Sequence, residues 1–279
     1  MCAARLRLPL RTVSDPRKMN RCVFGVNMEV IMIPKIIHFC WFGGNDLPVS
    51  TKKYIMTWRK NLPDYKIRKW DEKNFDIKSA PVYVQEAYAA GKFAFVSDYV
   101  RIQALRKYGG IYFDTDVEVV RPFDKYLEGR SMVLGFESDR SLTTAFIACS
   151  KNHPFIEEFE KTYHERRFIK EDGSMDLTAI NVGFSRQAEA WGLDLSRNAF
   201  QEIGDGIAVY PIEYFAAFDV KNWHERTGPN TCTIHHMDAS WVEKKTSLHI
   251  VVIKSLQKAL GYDRYDRLRG FVGKLKGGK

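Results

Sequence analysis

The chain has 279 residues, 45 % of them hydrophobic, and a net charge of +9. This supports one sizeable α/β core and excludes disorder throughout. The charge is uneven: residues 1–31 carry +4, residues 32–243 carry −3 and residues 244–279 carry +8. A nucleic-acid-binding core would instead concentrate positive charge on the folded body. Cys2, Cys22, Cys40, Cys149 and Cys232 form no Cys-x-x-Cys pair. That pattern argues against a disulfide framework or zinc ribbon and for a reducing, cytoplasmic setting. No run of 18 apolar residues is present, so no membrane span is expected. Residues 1–31 show no period and, with Arg11, Asp15, Arg17 and Lys18 where an apolar stretch would stand, no secretory signal. They read either as a flexible leader or as sequence upstream of a start near Met28 or Met32, before a domain over 32–243.

Ile33 to Phe42 reads as a mostly buried strand ended by Gly43-Gly44. Residues 49–61 have helical spacing, with Tyr54, Ile55 and Trp58 on one face. Tyr65 to Trp70 alternates as a strand. Helical patterns follow at 81–90 and 93–108, the second stopped by Gly109-Gly110. Ile111-Tyr112-Phe113 is a short buried strand running into Asp114-Thr115-Asp116. Met132 to Glu137 and Phe146 to Ser150 are further strands, 154–167 a charged surface helix, and Ile207 to Pro211 and Thr231 to His236 late strands. Strands alternating with helices predict a largely parallel sheet, whose ligands sit at the carboxyl ends of the strands. Both Gly43-Gly44 and the aspartate pair fall there.

An Asp-x-Asp pair at a strand end can place two hard oxygen ligands around Mg2+ or Mn2+, which in turn bridges phosphate oxygens. With 18 aspartates in the chain, about one such triplet arises by chance, so the triplet alone is weak. Its context is stronger. It follows a buried strand, a glycine cap and a helix carrying Asp98 and Arg101, which share a face at i,i+3. That pair reads either as a surface salt bridge or as a carboxylate and guanidinium for hydroxyl and phosphate groups.

Ile33-Pro34-Lys35-Ile36-Ile37-His38-Phe39-Cys40-Trp41-Phe42-Gly43 resembles the opening strand of glycosyltransferase family 32. The run from Ala94 through Ser97-Asp98-Tyr99-Val100-Arg101 to Gly109-Gly110-Ile111-Tyr112-Phe113-Asp114-Thr115-Asp116 resembles that family's central block. Ile234-His235-His236 with Ser240-Trp241 resembles its late block. The resemblance spans about residues 33–242. It implies a GT-A type fold: one Rossmann-like nucleotide-binding domain with a mixed, largely parallel sheet, here followed by a C-terminal helical tail. It also implies a metal-dependent transfer of a hexose, with retention, from a UDP- or GDP-sugar to a glycan or lipid-linked saccharide. Carried over by position, Asp116 is a metal ligand, Asp114 contacts metal or ribose, and His235 completes the metal site, with His236 as the alternative. Ser240 and Trp241 close over the diphosphate, Asp98 and Arg101 hold the donor sugar, and Trp41 stacks on the base. Around Asn181-Val182-Gly183 the small-residue–Pro turn of the family is missing. Glu137 and Asp139, at the end of a strand, are further candidates for contact with sugar or acceptor.

Leu248, Val252, Leu256, Ala259 and Leu260 share one helical face, and Arg264, Arg267, Arg269, Lys274 and Lys276 follow. This pattern reads as an interfacial helix with a polybasic extension that holds the enzyme peripherally on an anionic inner leaflet. The equal alternative is a helix docked on the domain with a solvated tail. A bacterial surface-polysaccharide role fits the first. Two other classes compete: a metal-dependent phosphoester hydrolase using Asp114 and Asp116, and a non-catalytic adaptor for membrane or nucleic acid.

Overall fold

The computed structural model describes residues 32–138, 140–204, 206–219 and 224–237, together with Ser255 and Leu260. The opening apolar run forms β1 (Ile36–Cys40), followed by α1 (Val49–Asn61), β2 (Lys66–Trp70), α2 (Val82–Ala89) and α3 (Phe93–Tyr108). Gly109 stops α3 with φ +62°, where an added Cβ would stand 2.6 Å from the backbone nitrogen of Lys151. Gly110 follows with φ +97°, and its Cβ would stand 2.5 Å from the Ile36 carbonyl oxygen. Only glycine accepts that backbone at that distance. The pair turns the chain from helix into β3 (Gly110–Phe113), hard against β1.

The chain continues through β4 (Val117–Val119), α4 (Asp124–Leu127), β5 (Met132–Ser138), β6 (Ser141–Leu142), β7 (Phe146–Cys149) and α5 (Pro154–Lys161). It closes the described part with α6 (Ile180–Ala190), β8 (Gln201–Ile203), β9 (Ile207–Tyr210), α7 (Ile212–Phe215), β10 (Phe218–Asp219), β11 (His224–Glu225) and β12 (Thr233–His235). The central sheet has the order β2-β1-β3-β7-β5-β9-β8, with β6 paired to β5. Along that order β2, β1, β3, β5 and β9 run one way, and β7 and β8 run against them. The sheet is therefore mixed and largely parallel, the expected architecture.

Successive residues of β3 face opposite sides, as pleating requires. Tyr112 joins a core with Val96, Val100, Phe155 and Phe184 from α3, α5 and α6. Ile111 and Phe113 join a second core with Ile55 and Trp58 of α1 and Phe215 of α7. The sheet is thus covered on both faces, which leaves its strand ends as the place for a polar site. Cys40, Cys149 and Cys232 are buried free thiols, so no disulfide joins them. Among the described residues no helix is long and apolar enough to cross a membrane.

Two expectations change. The helix predicted over 154–167 ends at Lys161 and tightens into a short 3-10 turn, Thr162–His164. Beyond it Glu86 of α2 accepts from the backbone N–H groups of Phe168 and Ile169 and pairs with Arg167. These contacts hold the segment in a non-helical path. Conversely, α6 forms where no helix was expected. The leader 1–31 and the tail 244–279, with its predicted amphipathic helix, lie outside the described residues, apart from Ser255 and Leu260.

Candidate active site

The aspartate pair is shaped by the end of β3. The Asp114 backbone N–H donates to the Ala145 carbonyl at 3.0 Å, and Val117 N–H closes a turn onto the Asp114 carbonyl at 3.2 Å. That turn feeds β4, which pairs antiparallel with β12: Thr233 opposite Val119, Ile234 opposite Glu118 and His235 opposite Val117. The His236 backbone N–H donates to the Asp116 carbonyl at 3.0 Å. This two-stranded ladder carries His235, from the far end of the chain, to the aspartates.

Asp114, Asp116 and His235 each offer one ligand atom, and these atoms lie within 4.8 Å of one another. His235 Nε2 is 3.3 Å from Asp116 Oδ1, and its Nδ1 is 3.5 Å from Glu137 Oε1. Burial pushes the imidazole pKa down, but the Asp116 and Glu137 carboxylates outweigh it and hold the pKa well above its ordinary value. Carboxylates that converge on an imidazole and favour positive charge there would also suit a divalent cation. Two hard oxygens and one imidazole nitrogen fit Mn2+ or Mg2+ and leave further coordination positions for phosphate oxygens.

His236 is engaged elsewhere. Its Nε2 is 2.9 Å from Glu118 Oε2 and its ring stacks on Tyr54 at 4.7 Å. The geometry therefore places His235, and not His236, beside the two aspartates.

Asp98 and Arg101 share a face of α3, as the spacing predicted, but that face points inward: they are 9 % and 5 % exposed. Arg101 Nη2 donates to Asp98 Oδ1 at 2.7 Å and lies 3.2 Å from Asp114 Oδ1. Its Nη1 donates to the Thr144 carbonyl at 2.8 Å, and its guanidinium lies over the Tyr112 ring at 4.5 Å. The Tyr112 hydroxyl donates to Asp114 Oδ1 at 2.9 Å. Burial pushes the Asp98 carboxyl up to about 6, against the pull of Arg101. Burial alone would ease the proton off Arg101, yet Asp114, Tyr112 and Asp98 together hold it on. The pair is a brace behind Asp114, which fixes where that carboxylate points. Tyr112 and Thr144 belong to the same brace; the sequence marked Tyr112 only by its place in a buried strand, and nothing marked Thr144, which lies between β6 and β7.

Trp41 stands at the carboxyl end of β1, next to β3, and is half-buried rather than core. Its indole N–H donates to the Asn45 carbonyl at 2.7 Å. With Gly43, Asp71, Tyr88 and Phe93 it lines an open cleft of about 560 Å³. An added Cβ on Gly43, whose φ is +96°, would stand 2.5 Å from the Phe93 ring, so glycine keeps this wall thin. Ser240, Trp241 and Asp139 lie outside the described residues.

Fold and site define a class: an α/β domain with a cation-ready acidic cluster at the carboxyl ends of its strands. Residues 48–133, which hold Asp98, Arg101, Asp114 and Asp116, match the family model described as "Glycosyltransferase sugar-binding region containing DXD motif". That description is of the family that the motifs of this chain resemble. It is 27 % identical over 138 residues to inositol phosphoceramide mannosyltransferase 1 of Schizosaccharomyces pombe, covering 46 % of this chain and 42 % of the relative. It is 26 % identical over 187 residues to subversion of eukaryotic traffic protein A of Legionella pneumophila, covering 52 % of this chain and 28 % of that protein. A solved structure titled PaToxG Glycosyltransferase matches with a TM-score of 0.46 and 24 % identity, over 58 % of this chain and 71 % of that one. The chain thus spans less than half the length of the curated relatives it matches.

Proposed function

We propose that the chain transfers a hexose from a UDP- or GDP-sugar to a saccharide or lipid-linked acceptor, with retention at the anomeric carbon. The observation that carries this reading is the meeting of Asp114, Asp116 and His235 within 4.8 Å, from strands 120 residues apart in sequence, inside a domain matched to sugar transferases. Asp114, Asp116 and His235 would hold a divalent cation, and such an ion would supply positive charge beside the nucleoside diphosphate leaving group. Asp114 meets the donor from a fixed direction, because Arg101 and Tyr112 hold it from behind. Trp41 offers a flat apolar ring for the base at the mouth of a cleft beside the same strand ends. Asp98 sets the guanidinium that sets Asp114, and so acts on the donor through them.

The phosphoester-hydrolase alternative calls for a denser ligand set, and among the described residues this is the one such cluster. The basic segment 244–279 supports peripheral attachment to an anionic leaflet, and with it a cytoplasmic place in bacterial surface-polysaccharide synthesis. The test is a panel of UDP- and GDP-sugars with Mn2+, followed by NMR for slow donor hydrolysis and the configuration of the first-formed sugar. One donor should be hydrolysed only with the cation, with retained configuration. Cation-independent turnover, or phosphomonoester cleavage without release of sugar, rejects the reading.

A further inference from the structure

An imidazole that binds a cation through one nitrogen must place its other N–H on an acceptor, and that acceptor fixes both tautomer and ring orientation. Around His235 an acceptor for this N–H stands close by, on a residue outside the ligand set. His235 Nε2 faces Asp116. Its Nδ1 is buried, makes no hydrogen bond of good geometry, and has the Glu137 carboxylate at 3.5 Å. The other oxygen of that carboxylate, Oε2, accepts from the Asn181 side-chain amide at 3.0 Å.

Local backbone explains why Glu137 points there. The pairing of β5 with β6 is regular at Phe136 opposite Leu142, then shifts register before Ser138 meets Ser141. Glu137 sits on the irregularity, and such a bulge re-aims a side chain relative to the ladder. Asn181 stands in the first turn of α6, which is tied down by the Ser185 hydroxyl accepting from Leu142 N–H at 2.9 Å. Two elements with no other share in the cation cluster therefore converge on one carboxylate. We propose that Glu137, steadied by Asn181, is the positioning residue that turns His235 Nε2 toward Asp114 and Asp116. This rests on the reading of the three-residue cluster as a cation site. It makes α6 part of the site although no motif marks that helix.

The experiment measures Mn2+ binding to the full chain, by EPR of free Mn2+, in the wild type and in Glu137→Ala, Glu137→Gln and Asn181→Ala. Outer partners of a ligating histidine are typically worth about 10–100-fold in metal affinity. Glu137→Ala should lose roughly that much. Glu137→Gln keeps an amide oxygen for the Nδ1–H and should recover most of it, and Asn181→Ala should fall between. On a His235→Ala background, Glu137→Ala should change Mn2+ affinity by less than about twofold, because the group it positions is gone. Two-dimensional 15N NMR of the imidazole at a fixed Mg2+ concentration should show Nδ1–H and a cation-bound Nε2 in the wild type, and signals of the cation-free ring in Glu137→Ala. Melting curves separate unfolding from lost positioning, and if Glu137→Ala does not fold, Glu137→Gln and Asn181→Ala carry the test. Wild-type Mn2+ affinity and wild-type imidazole signals in Glu137→Ala overturn the proposal alone. Absence of Mn2+ binding by the wild type overturns the cation-site reading and the proposal with it.

Discussion

The two ends of β3 each have a buried histidine, and the two histidines are opposites. At the amino end, His38 of β1 lies with Nε2 3.0 Å from the Gly109 carbonyl, while the Trp70 indole N–H donates to its Nδ1 at 3.2 Å. The ring is therefore neutral, with its proton on Nε2, and burial pushes its pKa down to about 4. At the carboxyl end, His235 is also buried but stands between Asp116 and Glu137, which raise its pKa. Burial does not decide which histidine is structural. Partners with no net charge make a seam that closes β1, β2 and the end of α3. Converging carboxylates make a place for a cation.

This contrast can be broken from either side. The largest effect is expected at the brace of the carboxyl end. Arg101→Ala removes the counter-charge of buried Asp98, and breaking a buried pair costs about 3–5 kcal/mol. Because Asp98 already titrates near 6 and can protonate, the low end applies, and the melting temperature should fall by roughly 10 °C. A variant that melts with the wild type would show that Arg101 does not hold the site.

Asp116→Asn should leave the melting curve nearly unchanged and weaken Mn2+-dependent nucleotide binding by about 100-fold or more, since a charged ligand is lost. Calorimetry with UDP and GDP, with and without Mn2+, measures this; near-normal affinity would remove Asp116 from the cluster.

At the amino end the effect is on stability and depends on pH. The His38 pKa is lower in the fold than the ordinary 6.5, so its contribution is complete above pH 7 and is lost as pH falls from 6.5 toward 4. The loss reaches on the order of 3 kcal/mol at pH 4. His38→Gln can still donate to Gly109 and accept from Trp70 but does not titrate. It should be somewhat less stable than the wild type at pH 7 and equal or better at pH 4.5. Parallel melting curves at both pH values would sink the assignment.

Trp41→Ala should give the smallest change. Base stacking is worth about 1–3 kcal/mol, so UDP or GDP affinity should fall roughly tenfold with stability intact, because the ring is half-exposed. A large drop in melting temperature would mean that Trp41 is core after all.

By itself the sequence determined the pieces whose signals are local. Apolar runs, alternation, glycine stops and helical spacing located β1, α1, β2, α2, α3 and β3, and the Asp-x-Asp triplet sits where a buried strand meets solvent. These depend on neighbouring residues, so they can be read in one pass. The sequence said little of α6, whose run Ile180–Ala190 contains Gly183 and has no side-chain N-cap. It did not tell that Asp98 and Arg101 point inward, since i,i+3 spacing fixes a shared face but not what that face meets. Nor could it choose between His235 and His236. Their positions are set by the pairing of β12 with β4, a three-residue ladder that puts one histidine against Asp116 and the other against Glu118 and Tyr54. Alternate residues of a strand face opposite sides, so a shift of one residue would have exchanged their roles. Register across more than 100 residues of intervening chain is a property of the packed sheet, and only the tertiary structure decides it.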